Sequence, residues 1–180
     1  SSESEKKLLF GNIIHVFILR VPWLILTIIG GIIASTIINL YSFNFNSTVF
    51  PLALSLSFIP LLMGLGGNIG NQSSTIIVRG ISTDAFKNLS GKKLIYRETL
   101  IGFISGCIIG ITLFLFMIFL FKYNFLLSLI VAISIICNMV LATCIGSSLP
   151  LIFQKLKIDP AIASAPFIST ALDIIGQIVY

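Results

Sequence analysis

Residues 99–121, TLIGFISGCIIGITLFLFMIFLF, run for 23 positions without a charged side chain. An α-helix needs about 20 apolar residues to cross the hydrocarbon core of a bilayer, so this stretch predicts a transmembrane helix. Within it Gly102, Gly106 and Gly110 recur every four residues, which places them on one helix face. Because small residues let a second helix approach closely, the sequence also predicts tight packing along this glycine strip.

The composition of the whole chain extends this prediction to a membrane domain. Of its 180 residues, 57% are hydrophobic and 9% are charged, whereas soluble domains average roughly 25% charged residues. This length accommodates about five helical spans and leaves no room for a soluble catalytic domain. The net charge of +5 is interpreted as loop charge on one side of a membrane. A nucleic-acid surface is not expected, because Lys and Arg are not interleaved with exposed aromatic residues on a polar fold.

The predicted fold is an all-α membrane protein with an N-terminal interfacial or linker helix over residues 1–20 and five transmembrane helices over residues 21–180. The approximate spans are Pro22–Leu40, Val49–Val78, Thr99–Phe121, Phe125–Phe153 and Pro160 to the end. The second span is longer than a membrane needs, and its proline and glycines predict a kink or local break. Residues Arg79 to Glu98 are predicted to form a charged loop.

The basic residues are distributed unequally between the two ends of these spans. Most lie in the N-terminal flank, in residues 79–98 and in residues 154–159, and Lys122 alone lies on the opposite side. Since cytoplasmic loops carry an excess of Lys and Arg, the N-terminus is expected in the cytoplasm and the C-terminus outside, across a cell inner or plasma membrane. An odd span number is unusual for a transporter built from repeats, so a homodimer of ten helices is expected.

Polar side chains form a stripe along the second predicted span. They fall at i, i+3, i+4 and i+7, and they are Asn68, Asn71, Gln72 and Thr75. This spacing puts them on one helix face, which must meet protein or water inside a bilayer. The alternative is hydrogen bonding between helices, which is the favoured interpretation for Asn138 and Thr143 in the fourth span.

The fifth predicted span carries a second stripe, which includes the acidic residue Asp173. Its members follow i, i+3, i+4, i+7, i+10 and i+11, and they are Pro166, Ser169, Thr170, Asp173, Gly176 and Gln177. A carboxylate at a span centre costs about 2.5 to 3.5 kcal/mol on insertion scales, so it indicates a functional site. A carboxylate without a fixed basic partner suits a hydrated hard cation such as Mg²⁺. The structural alternative is an ion pair with Arg20, Arg79 or Arg97.

The two stripes together suggest a water-lined path. Oxygen ligands would come from Asp173, Asn71 and Thr75, and from the carbonyl of Ile162, which loses its helical donor at Pro166. Oxygen-only sites suit Mg²⁺ or Ca²⁺. In a two-fold dimer, one Asp173 from each subunit would match the charge of a divalent ion.

Two runs in these spans carry a resemblance to a known family. They are residues 60–73, PLLMGLGGNIGNQS, and residues 159–173, DPAIASAPFISTALD. With them, the chain from residue 20 onward resembles the membrane domain of the MgtE family of magnesium channels. The resemblance implies a homodimer of five spans per subunit, with the pore at the dimer interface between the second and fifth spans. It also implies cytosolic N-terminal and CBS domains, which a long helix joins to the first span. Residues 1–20 would be the end of that helix.

The resemblance further implies roles for individual residues. Asp173 would hold a hydrated Mg²⁺, the transported ion, and Ser169 would border it. The pore would be lined by Asn68, Asn71, Gln72, Thr75, Ala165, Pro166 and Gly176. Ala165 departs from the family pattern, in which a polar residue or glycine commonly precedes the proline.

Three other functions stay open at the level of the sequence. A secondary transporter would exchange Mg²⁺ for Na⁺ or H⁺, and more intramembrane acids would be expected. An intramembrane aspartyl-type protease would need two carboxylates sharing a proton at close range. A non-conducting structural membrane subunit would use Asp173 only for assembly. A phosphate-binding loop is lacking in this sequence, so ATP hydrolysis by this chain is not expected.

Overall fold

The computed structural model describes residues 56–86 and 89–159 as two stretches. It also describes the individual positions 13, 14, 17, 18, 21, 24, 25, 28, 29, 32, 168, 169 and 172, all of which are helical. Three helices lie within the two stretches: α1 (Ile59–Ser82), α2 (Gly91–Phe119) and α3 (Phe125–Lys155). No strand occurs in this described part of the chain, so the all-α prediction is confirmed there. Most of the predicted first and fifth spans lies outside the described residues.

A short non-helical turn precedes helix α1, and residue 56 before this turn is again helical. Residues 57–58 form a turn, and Pro60 occupies the first turn of α1, where its missing N–H leaves no helical hydrogen bond unmade. From there the helix runs without interruption through its glycines to Ser82. The predicted break is therefore confirmed, but it lies before Pro60 and not at the glycines. Residues 49–55 of the predicted span lie outside the described residues.

The prediction of a charged loop from Arg79 to Glu98 is wrong. Helix α1 continues to Ser82 and α2 begins at Gly91, so only residues 83–90 connect them. The physical reason is that Lys, Arg and Glu are good helix formers, so a charged segment can continue a helix beyond the hydrocarbon.

Helices α2 and α3 have the dimensions of membrane spans. They contain 29 and 31 residues and are apolar enough to cross a bilayer. At 1.5 Å per residue each is roughly 45 Å long, which exceeds the hydrocarbon core of about 30 Å. The prediction for the fourth span is confirmed, since α3 begins at Phe125 and continues two residues past Phe153. Its start is fixed by Asn124, whose side chain accepts a hydrogen bond of 2.9 Å from the N–H of Leu126.

Helix α3 packs between α1 and α2, which barely touch each other. Helices α2 and α3 run antiparallel along the glycine strip. A Cβ added to Gly106 would lie 3.1 Å from Ile136 Cα, and one added to Gly110 would lie 3.0 Å from the carbonyl oxygen of Ala132. The predicted packing role of the strip is confirmed by these contacts with the α3 backbone.

One hydrophobic core joins the three helices to the flanking helical positions. It comprises Leu24, Phe58, Leu61, Leu62, Leu65, Ile69, Ile109, Leu113, Met117, Val131, Ile135, Met139, Ala142, Ile168 and Leu172. Leu24 comes from the predicted first span, and Ile168 and Leu172 come from the predicted fifth span. Side chains from all five predicted spans therefore share this core.

The two ends of the helix bundle differ in charge. The C-terminal ends of α1 and α3 lie at the same end as the N-terminus of α2. We call this the basic end, since it carries Arg79, Lys92, Lys93, Arg97, Lys155 and Lys157. The turn between α2 and α3, at the opposite end, carries Lys122.

Candidate functional site

Helix α1 has one packed face and one open face. The packed face is buried and includes Leu62, Leu65, Gly66, Ile69, Gly70, Ser73 and Ile77. The open face comprises Gly67, Asn68, Asn71, Gln72, Thr75 and Arg79. A Cβ added to Gly67 would meet no atom within 4 Å, and Thr75 is exposed. The predicted placement of the four polar residues on a single face of the helix is confirmed, and this face is distinct from the packed one.

A hydrogen bond joins the two stripes that the sequence suggested. The Asn71 side-chain amide donates from Nδ2 to Ser169 Oγ over 2.9 Å, across 98 positions of sequence. Leu172 Cδ1 lies where a side chain on Gly70 would be, so it packs directly against α1. These contacts place residues 169 and 172 beside the open and packed faces of α1.

The other two amide side chains of the open face, Asn68 and Gln72, are bonded to each other within α1. Gln72 Nε2 donates to Asn68 Oδ1, one turn earlier, over 3.0 Å. Thr75 Oγ1 donates to the backbone carbonyl of Asn71 over 2.8 Å. Both Asn71 and Gln72 therefore direct their NH₂ groups at neighbouring side-chain oxygens.

Their carbonyl oxygens are left without a donor. Asn71 Oδ1 and Gln72 Oε1 are buried and accept no hydrogen bond from the described part of the protein. A buried acceptor left unsatisfied costs about 1–3 kcal/mol, so this arrangement favours a donor or a cation at these oxygens. Amide oxygens are ligands that Mg²⁺ and Ca²⁺ accept, directly or through water.

Several predicted site residues lie outside the described residues. They are Asp173, Ala165, Pro166, Gly176 and the remaining fifth-span positions Thr170 and Gln177. Within the described part of the chain, no three His, Cys, Asp or Glu side chains are close enough to hold a metal ion. There the oxygen ligands on offer are amide and hydroxyl groups, not a carboxylate cage.

The two polar residues of the fourth span behave differently from one another. Asn138 is buried and donates from Nδ2 to the backbone carbonyl of Leu62 over 2.5 Å, which links α3 to α1. Its interpretation as an interhelical hydrogen bond is confirmed. For Thr143 that interpretation is wrong, because its hydroxyl donates to Met139 and Val140 within α3 itself. A Thr inside a helix can donate its hydroxyl to the backbone carbonyl three or four residues earlier in the same helix.

Sequence reasoning missed the burial of Glu98. It was assigned to a loop, but it lies in α2 and is only 1% exposed. Its spacing contains the signal, since Glu98 lies four residues before Gly102 and therefore continues the packing strip toward the basic end. Glu98 is therefore a buried acidic residue for which the sequence analysis proposed no role.

Long apolar helices that pack through glycines, with amides along one open face, define an all-α membrane protein. Residues 59–180 match the family model MgtE, which is described as a divalent cation transporter. The match covers more than half of the chain, and the chain belongs to the MgtE family. The resemblance seen in residues 60–73 and 159–173 is thereby confirmed.

Three curated proteins named "Magnesium transporter MgtE" are similar to this chain. The Bacillus subtilis protein is 34% identical over 161 residues, which cover 89% of this chain and 35% of that protein. The Enterococcus faecalis protein is 31% identical over 161 residues, covering 89% and 34%. The Thermus thermophilus protein is 28% identical over 169 residues, covering 93% and 36%. The chain spans about a third of the length of these relatives.

Proposed function

We propose that this chain forms the membrane pore of a channel that passes Mg²⁺ into the cytoplasm down its electrochemical gradient. The observation that carries the proposal is the pairing of Asn71 with Ser169 beside the unsatisfied oxygens of Asn71 and Gln72. Family membership and the names of the relatives support a divalent cation, and Mg²⁺ in particular.

The open face suits a cation that keeps its water shell. Mg²⁺ gives up water reluctantly, so a pathway for it must first accept hydrogen bonds from the water that surrounds the ion. Asn71 and Gln72 present their oxygens, while their NH₂ groups are bound to Ser169 and Asn68. One N–H of each NH₂ group is thus bound to a protein oxygen, and the two side-chain oxygens are left to accept hydrogen bonds. The unsatisfied oxygens of Asn71 and Gln72 therefore favour a hydrated cation over an anion at this level of the open face.

Asp173 supplies the charge in this proposal. With Ser169 bordering the ion, one Asp173 from each subunit of a homodimer would hold a hydrated Mg²⁺ on the two-fold axis. The pore would run between the open face of α1 and fifth-span positions Ala165, Pro166 and Gly176. A divalent ion gains about 4.6 kcal/mol on crossing 100 mV, at about 2.3 kcal/mol per charge, so no ATP-driven step is needed.

The proposal includes an orientation and partners. The basic end would face the cytoplasm, which places the N-terminus inside and the C-terminus outside. The partners would be a second copy of this chain, membrane lipid, and cytosolic N-terminal and CBS domains in the full-length protein. Further domains are supported by the length of the relatives, of which the matched residues cover only 34–36%.

The test is Mg²⁺ uptake into proteoliposomes that contain this chain, wild type beside Asp173→Asn. Asp84→Asn is the matched control, because Asp84 is an exposed acid in the loop after α1. We expect uptake by the wild type and the control and a loss of uptake in Asp173→Asn. Equal uptake by all three proteins would contradict a role for Asp173. If the folded wild type neither passes nor binds Mg²⁺, the channel proposal is wrong.

A further inference from the structure

A second feature of the molecule lies at the basic end, away from the open face of α1. A pocket of about 620 Å³ opens where the end of α1 and the following loop meet the start of α2 and the end of α3. Its apolar wall includes Leu94, Leu151 and Ile152. Its charged lining residues are Lys92, Lys155 and Asp84. The pocket is therefore amphipathic and carries one more positive than negative side chain.

The charges that line the pocket are two lysines and one aspartate. Within the described part of the chain, neither Lys92 nor Lys155 has an ion-pair partner, although Asp84 lines the same pocket. Two ammonium groups that share a pocket and have no carboxylate partner favour an anion between them.

The backbone adds to this positive potential. Ser90, the residue before α2, makes no side-chain cap, and the first turn of α2 contains no acidic residue. The first N–H groups of a helix carry a partial positive charge, which an acidic side chain usually offsets. Here the first turn carries Lys92 and Lys93 instead. A bound anion would offset both the lysines and the helix terminus.

The position of the pocket indicates what kind of anion it would take. The first eight residues of α2, Gly91 to Glu98, precede its uncharged stretch and are about 12 Å long. That length places the pocket at the depth of the lipid headgroups when the uncharged stretch spans the hydrocarbon. Ile152 in the apolar wall is itself exposed, as is Leu156 beside it. The apolar wall thus continues onto the outer surface of the bundle, where acyl chains lie.

We propose that this pocket binds the phosphate headgroup of an anionic membrane lipid. The phosphate lies between Lys92 and Lys155 at the N-terminus of α2, and the acyl chains leave along Ile152 and Leu151. Basic pockets between membrane helices are known sites for phospholipid headgroups. Since the lipid contacts the ends of all three described helices, it stabilises their arrangement at this end. The proposal does not depend on which ion the protein transports.

The experiment compares lipid binding to the full chain in detergent by native mass spectrometry and thermal unfolding. The probes are phosphatidylglycerol and phosphatidylcholine with the same acyl chains. We expect phosphatidylglycerol to bind more tightly and to raise the unfolding temperature more. Each lysine near a membrane surface contributes about 1 kcal/mol, so Lys92→Gln/Lys155→Gln weakens phosphatidylglycerol binding about fivefold per lysine.

Two further variants make the test specific to the pocket. Lys122→Gln/Lys157→Gln removes the same charge at exposed positions that neither line the pocket nor lie in the first turn of α2, and its binding stays near wild type. Asp84→Asn removes the one acidic side chain of the lining, so it binds phosphatidylglycerol more tightly. Equal weakening in the two lysine pairs, or unchanged affinity in Asp84→Asn, would overturn the proposal. Equal stabilisation by glycerol phosphate or inorganic phosphate would also overturn it, since the occupant would then be a soluble anion.

Discussion

Both faces of α1 carry glycines and polar side chains, but only one of them is packed against the protein. On the packed face, Gly66 and Gly70 bring the backbone against α3, and a side chain on Gly66 would meet Asn138 Nδ2 at 2.6 Å. On the open face, the neighbouring Gly67 faces space, and the amide oxygens of Asn71 and Gln72 are unsatisfied. Small residues therefore close one side of the helix and leave room on the other.

This difference shows how one helix can stabilise the fold with one face and offer a binding surface with the other. The packed face satisfies its polar groups within the protein, as the hydrogen bond from Asn138 to Leu62 shows. On the open face, Asn71 and Gln72 each donate to a neighbouring oxygen, but their own side-chain oxygens are left to accept from another molecule. Changes on the packed face should therefore act on stability, and changes on the open face should act on ion passage.

The largest effect on stability is expected from Gly146→Ala in α3. A Cβ there would lie 3.1 Å from Gly70 Cα and closer still to the carbonyl oxygen of Gly70. Because both are backbone atoms, the clash cannot be relieved by a rotamer change, and overpacking of this kind costs about 1–3 kcal/mol. Unfolding in detergent measures it. An unchanged midpoint would break the distinction between the faces, since α1 and α3 would then not be in close contact.

A smaller loss of stability is expected from Asn138→Ala. The variant removes the interhelical hydrogen bond to the Leu62 carbonyl. Such bonds in membrane proteins contribute about 0.6 kcal/mol on average and up to about 1.7 kcal/mol. The same unfolding assay measures the loss, with Thr112→Ala as the control, since Thr112 is exposed and bonds only within α2. Equal losses in the two variants would mean that the link between α3 and α1 adds nothing.

The smallest effect, and one of opposite sign, is expected from Gly67→Ala. Its added methyl group meets open space, while alanine is a better helix former than glycine by about 0.5–1 kcal/mol. We therefore expect the unfolding midpoint to rise slightly, in contrast to Gly146→Ala. A loss of stability as large as that of Gly146→Ala would show that position 67 is packed against protein.

The polar stripe along α1 could be predicted from the sequence, and so could the glycine strip of α2. Both depend on helical periodicity alone, which fixes which residues share a face whatever they pack against. The ends of α1 and α2 could not be predicted in this way. Charged residues were expected to lie outside the helices, whereas Lys92, Arg97 and Glu98 belong to α2. The burial of Glu98 was missed for the same reason.

The candidate site was predicted in part. Periodicity placed Asn71 on a polar face, but its hydrogen bond to Ser169 depends on how two helices 98 positions apart are rotated against each other. Local spacing carries no information on that rotation. Nor could it indicate that the NH₂ group of Asn71 would be bound and its oxygen left unsatisfied.

The most direct test of the account is Mg²⁺ uptake into proteoliposomes by Asn71→Leu, a near-isosteric change on the open face. Hydrogen bonds to charged groups contribute about 1.5–3 kcal/mol, so losing this oxygen should reduce uptake by roughly tenfold or more. The unfolding midpoint should fall only slightly, because Asn71→Leu loses the hydrogen bond to Ser169 but also removes the buried, unsatisfied Oδ1. Wild-type uptake by folded Asn71→Leu would contradict the claim that the open face of α1 lines the ion pathway.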